Sequence, residues 1–332
     1  MMNEALREKC DLFLENIVSM QQAFWYENSE LRLCAAAMLA MAGKKTSAEE
    51  LKNMKRMLVE RVGAFNNLRS YVKLPVIAAM CASDDPSGYC DRLIANYDAV
   101  KAGHITRSVF DALAAMVLTD AAKEREVDAP AAVEKMKEIY REMRSNHPLL
   151  TSREDMACVA LLALSDKEVF EAVGDMEDCY RRLKPDFALR GDYVQTMSAV
   201  LTLMGGENSD KCDRLVKILR ALKERGNSLN HSSFLPVAAG LTAIDGEIGD
   251  IADSVAKASD YLEGKKGFRL SGRWKRTAYG IMMLMSTVPE QANAGSMLSL
   301  SVIANEIISQ VMTTVVIISA TTAAHSSSSS NG

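Results

Sequence analysis

Three of the four histidines, His104, His147 and His231, fall in polar segments that occupy equivalent places along the chain. A row of imidazoles invites a metal-ion reading. Zinc takes nitrogen ligands at about 2 Å, whereas equivalent segments in a stack of helices stand about 10 Å apart. No HExxH pattern or paired Cys/His spacing supports a shared site, so these are read as polar loop residues with no metal. The seven cysteines are odd in number, and none forms a CxxC pair. Most lie on apolar stripes, which predicts buried free thiols in a reducing, cytoplasmic compartment. The acidic runs Asp84-Asp85 and Asp245 to Asp250 lack the alternating oxygen ligands of a calcium loop and read as helix caps. No Gly-rich phosphate loop, GxSxG elbow or ordered Ser-His-Asp set stands out. Catalytic residues, cofactor and metal are each expected to be none, and a non-enzymatic protein is favoured.

A second set of residues points to binding. Arg69, Arg107, Arg153 and Arg190 recur in the same inter-repeat segments. The last segment gathers Lys265, Lys266, Arg269, Arg273, Lys275 and Arg276 around Trp274. Repeated charges at equivalent positions line one edge of an array, and a basic edge attracts an anionic partner. One or two such cations would suffice to complement the negative end of a helix, so the last cluster exceeds that need. A protein or peptide partner of acidic character, or anionic lipid headgroups, is expected. Nucleic acid is disfavoured, because the net charge is −4 and only 6% of residues are aromatic, too few for base stacking.

The elements that must carry this edge are helices. A small apolar segment recurs about every forty residues: LCAAAMLAMA from Leu33, LPVIAAMCAS from Leu74, FDALAAMVLT from Phe110, MACVALLALS from Met156, TMSAVLTLMG from Thr196, FLPVAAGLTA from Phe234 and TAYGIMMLMS from Thr277. Each is followed by a charged segment with apolar residues three and four apart, the pattern of a helix with one face on a core. The reading is all-α: an α-solenoid of about seven helical-hairpin repeats, HEAT- or TPR-like, with an N-terminal cap helix over residues 3–24. Ser47 to Glu50 and Ser165 to Glu168 have capping-box spacing, and Asp85-Pro86 supplies a cap and a first-turn proline. Between units, Phe65, Ile105, Leu150, Phe187, Leu229 and Phe268 are expected to plug the gaps between hairpins.

The run RVGAFNNLRSYVKLPVIAAM, followed by similar hairpins, resembles a bacterial family catalogued as domain of unknown function four-thousand-and-three. The resemblance spans most of residues 5–320 and implies an all-helical protein. It carries no activity or site residues.

The layout expected is a repeat array over 1–295, an apolar C-terminal helix over 296–324 and a disordered Ser-rich tail over 325–332. Ile307 to Ala324 is about eighteen residues long, at the short limit for a membrane span, and contains Ser, Thr and Gln310. A helix packed on the array is favoured over a tail anchor. The N-terminus reads as an amphipathic helix rather than a signal peptide. The competing class is an enzyme or carrier in which the array closes into an α/α toroid around an apolar pocket, bringing the first helix near residues 277–320.

Overall fold

The computed structural model describes residues 2–288, apart from 104, 107, 124, 188, 189, 230, 231 and 233. The expected apolar helix over 296–324 therefore lies outside the described residues. Among those described, the chain is all-helical, with no strand. The helices alternate in character. In chain order they pair as α1 (Glu4–Ala23) with α2 (Ser29–Met41), α3 (Ala48–Arg61) with α4 (Lys73–Ala82), and α5 (Pro86–Ala102) with α6 (Phe110–Ala121). The next pairs are α7 (Ala129–Asn146) with α8 (Met156–Leu164), α9 (Val169–Leu183) with α10 (Gly191–Thr202), α11 (Asn208–Glu224) with a 3-10 helix (Leu235–Ala243), and α12 (Ile248–Tyr261) with α13 (Arg273–Met285).

The first member of each pair is amphipathic and half exposed; the second is buried on every face beyond its first turn. In α8 all nine residues from Met156 to Leu164 are buried. Alanine explains how such helices fit. Ala79, Ala115 and Ala239 are all buried, and a methyl side chain lets neighbouring backbones approach closely. Gly280 on α13 takes this further: a Cβ there would meet the Ala258 Cβ at 3.2 Å and the Val255 carbonyl oxygen at 3.4 Å on α12. In the sixth pair the buried segment Leu235–Ala243 winds as the narrower 3-10 form.

Two features of the sequence reading change. The pairing differs, because each buried helix packs chiefly on the amphipathic helix before it, with lesser contact to the one after from α4 and α10. Buried Leu68, Phe187, Leu229 and Phe268 pin four of the seven connections that lead from an amphipathic helix to its successor. And α1 is not an end cap. Amphipathic helices touch in succession from α1 through α3, α5, α7, α9 and α11 to α12, and α12 touches α1. The buried helices follow the same course: α2 touches α4, α6 touches α8, and contacts continue through α10 and the 3-10 helix to α13, which returns to α2. Only between α4 and α6 does an amphipathic helix, α5, form the bridge by touching both.

Caps follow local chemistry. The Asp85 carboxylate accepts from the Gly88 N–H, with Pro86 opening α5, and the Ser47 hydroxyl accepts from the Glu50 N–H. Glu50 turns to the Thr46 hydroxyl instead of completing a capping box. Ser165 does not cap α9: its hydroxyl donates back to the Leu162 carbonyl, and the helix begins at Val169. All seven cysteines are buried free thiols.

Candidate functional site

The alternation of direction sorts the connections onto two rims. Segments leading from an amphipathic to a buried helix meet one another in sequence around one of them. Glu27 pairs with Lys73 at 2.5 Å, and the Asn67 amide donates to the Ser108 carbonyl at 3.3 Å. α6 touches the short 3-10 turn Arg153–Asp155. The Gln195 amide donates to the Thr151 hydroxyl at 3.0 Å, and Asp186 and Phe187 line a hollow with Leu219 and Lys223 of α11. Thr277 donates to the Asn227 amide oxygen at 2.8 Å, and Lys275 pairs with Glu30, which completes the circuit. We call this the connection rim.

Two properties set this rim apart. Among the described residues, its connections carry eight Lys and Arg against five Asp and Glu, while those of the opposite rim carry five against nine. The rim also holds nearly all the large apolar side chains left in water. Trp25 (74% exposed) and Tyr26 follow α1; Phe65 (103%) and Tyr71 precede α4; Leu149 (96%) precedes α8; Leu270 (102%) and Trp274 flank the start of α13. Among the described residues, only Phe170, at the start of α9, lies on the opposite rim.

Phe65 corrects the expectation that it plugs a gap. A short 3-10 turn, Asn67–Arg69, presents the fully buried Leu68 to the core, and Phe65 is left in the preceding turn pointing into water. The other expected plugs Phe187, Leu229 and Phe268 are buried, and Ile105 and Leu150 are half-buried. The displaced aromatic was legible only as a residue in a Gly-Ala-Phe-Asn turn, which gives no sign of which apolar side chain turns inward.

The basic residues named from the sequence separate into two groups. Lys265, Lys266 and Arg269 are exposed, with Lys265 over the Tyr261 ring at 5.3 Å. Arg153 is exposed, and Arg190 stacks 5.6 Å from the centre of the Tyr193 ring. Arg69 is half-buried and donates to the Val62 carbonyl at 3.0 Å; Arg107 lies outside the described residues. The six-residue cluster before Thr277 does not form one open surface. Arg273 donates to Asp260 at 2.5 Å, while Lys275 and Arg276 are buried and paired with Glu30 and Glu263. Helix geometry accounts for this, because α13 carries these two side chains around to the face that meets α2 and α12. Trp274 remains 42% exposed and rests on Phe234, with ring centres 5.4 Å apart.

Sequence reasoning missed Trp25 and Tyr26. They border a cleft of about 620 Å³ whose wall is α3, with Lys52, Lys55 and Arg56 facing it and Phe24 beneath. The Lys55 ammonium donates to the Tyr26 hydroxyl at 3.0 Å. The signal was the adjacent Trp-Tyr pair at a helix end, outside any apolar stripe.

Catalytic groupings find little geometry to stand on. His147 shares a 2.9 Å hydrogen bond with Glu177 and lies against the Tyr180 ring; His104 and His231 lie outside the described residues. Among the described residues no three His, Cys, Asp or Glu side chains stand close enough together to hold a metal ion, and no helix is long and apolar enough to cross a membrane. Asp111 is turned inward, accepting from the Thr106 hydroxyl and, at 2.9 Å, from the Ser108 N–H. Burial raises its carboxyl above the usual aspartate range against those two hydrogen bonds. It braces the connection before α6.

No curated protein and no solved structure matches the chain. A family model does, over residues 16–322, a span that takes in every helix pair described above apart from the first turns of α1. The chain belongs to the family described as Protein of unknown function (DUF4003).

Proposed function

We propose that this protein is a non-enzymatic docking scaffold: a helical-hairpin array, closed on itself, that works through its connection rim. The carrying observation is the concentration of exposed Trp, Tyr, Phe and Leu side chains on the one rim that also has a basic excess. Exposed apolar groups ringed by charge mark interaction surfaces, and large aromatics contribute most where a partner covers them. The partner carries negative charge and apolar groups; an acidic protein or peptide meets that description. A toroid carrier with an apolar axial pocket is the competing reading, because the inner helices are largely apolar, although Asp111, Gln195, Lys275 and Arg276 are buried on them.

A pull-down with wild type and with Lys265, Lys266 and Arg269 changed to Glu tests the reading, with Phe170→Ser on the opposite rim as control. Partners captured by wild type and control, and lost on charge reversal or at high salt, are the expected result. Identical partner sets for all three proteins would overturn it.

A further inference from the structure

We infer that the partner of the connection rim is an anionic lipid bilayer, which this protein meets as a peripheral membrane protein with the rim laid flat on the headgroups. The inference rests on the rim being the docking face and goes on to name what it docks to.

The distribution of the apolar side chains favours a bilayer over a protein. Protein interfaces concentrate their binding energy in a few clustered anchors near the centre of a patch. Here Phe65, Leu149 and Leu270 stand singly, each almost wholly in water, at the tips of three different connections around the circuit. Separate tips on connections of one rim suit a partner that is uniform in the plane and accepts a side chain wherever it arrives. A bilayer interface is such a partner.

The residue types agree. Trp and Tyr, with an apolar body and a polar edge, settle at headgroup level, and both tryptophans of the chain stand on this rim. Lys265, Lys266 and Arg269 are exposed on either side of the buried Phe268, beside the protruding Leu270. Cations next to an apolar tip are what an anionic leaflet rewards, through attraction to phosphates and burial of the tip in the same approach. The acidic excess of the opposite rim orients the molecule, since a negatively charged leaflet repels that side.

The test uses the full chain with vesicles of phosphatidylcholine alone and of phosphatidylcholine mixed with phosphatidylglycerol, read by cosedimentation and by tryptophan emission. Because Trp25 and Trp274 are the only tryptophans, emission reports on the rim directly. Binding to the mixed vesicles with a blue shift is expected. The triple variant Phe65→Ser, Leu149→Ser, Leu270→Ser should keep its circular dichroism and melting behaviour while losing about tenfold or more of its affinity. Charge reversal at Lys265, Lys266 and Arg269 should do the same at low salt. Binding that survives in the triple variant, or leaves emission unchanged, would place the contact elsewhere, such as the apolar stretch Ile307 to Ala324, and overturn the inference. Absence of binding to mixed vesicles would overturn it too. In that case a pull-down still sensitive to charge reversal would leave the docking rim standing with a protein as its partner, and an insensitive one would remove both.

Discussion

The Phe13 ring of α1 stacks on the Tyr279 ring of α13, centre to centre at 5.2 Å, and so joins the first helix of the chain to the last one described. Phe268 meets both rings edge-on, at 5.9 and 5.6 Å. Around this aromatic core the Lys275–Glu30 pair and the Tyr261–Asp11 hydrogen bond tie the same ends. Closure therefore rests on a buried seam rather than on a surface touch.

Phe13→Ala should lower stability by about 3–5 kcal/mol, the range for removing a buried aromatic ring. Phe13 is fully buried. Urea unfolding of the variant measures it. Because the seam holds both ends, the loss should appear as a shift of a single transition. A separate early transition would show that the ends open independently of the rest.

The close approach of buried helices yields a second expectation. Ala115→Leu on α6 inserts three carbons where the side chain is wholly buried, and Gly280→Val forces α13 away from Ala258 and Val255. Overpacking of this kind costs about 1–3 kcal/mol for each change. Melting temperatures equal to wild type would mean that these helices have space the structure does not show.

Periodicity made much of this legible. Apolar segments with no polar face could only be interior helices, and one-sided segments could only be their cover, so both classes of helix could be read from residue type alone. Local sequence could not reveal which neighbour each buried helix chooses, and it left the return of residues 277–320 to the first helix only as one of two alternatives. Those depend on the sum of small rotations between pairs, which no single segment encodes. The edge was half legible for a similar reason. Arg and Lys in the connections could be named, but Lys275 and Arg276 are turned inward by the angle at which α13 begins, and Phe65 outward by Leu68.

Alkaline sensitivity follows from the thiols. Burial, with Asp11, Glu30 and Glu50 as respective acidic neighbours, pushes Cys10, Cys34 and Cys81 up to about 12. The folded state thus keeps protons that the unfolded chain releases above about pH 8.5. Their contribution to stability is complete below that pH and declines as pH rises toward 12, by about 1.4 kcal/mol per pH unit for each thiol. Cys34→Ala should flatten the slope between pH 9 and 11 in denaturant titrations. A slope unchanged by the substitution would show that Cys34 is not held protonated. Native protein at pH 8 should also resist alkylation at these three thiols until denaturant is added.

The last basic segment should divide sharply on charge reversal. Lys275 is buried on α13 with Glu30 as its partner, and Arg276 is buried with Glu263 and the Ser271 carbonyl, which it reaches at 3.1 Å. Lys275→Glu places two carboxylates together at the closure seam, in a region that water reaches poorly, and should cost about 3–5 kcal/mol. Arg276→Glu acts in the same direction but less strongly, because Glu263 is 62% exposed and can turn to solvent. Lys266→Glu and Arg269→Glu lie in water and should stay within about 0.5 kcal/mol of wild type. Thermal denaturation of the four single variants separates the groups. If all four melt together with wild type, Lys275 and Arg276 belong to the open rim. If all four are destabilised, the connection from Leu262 to Gly272 is part of the seam and not a surface free to dock.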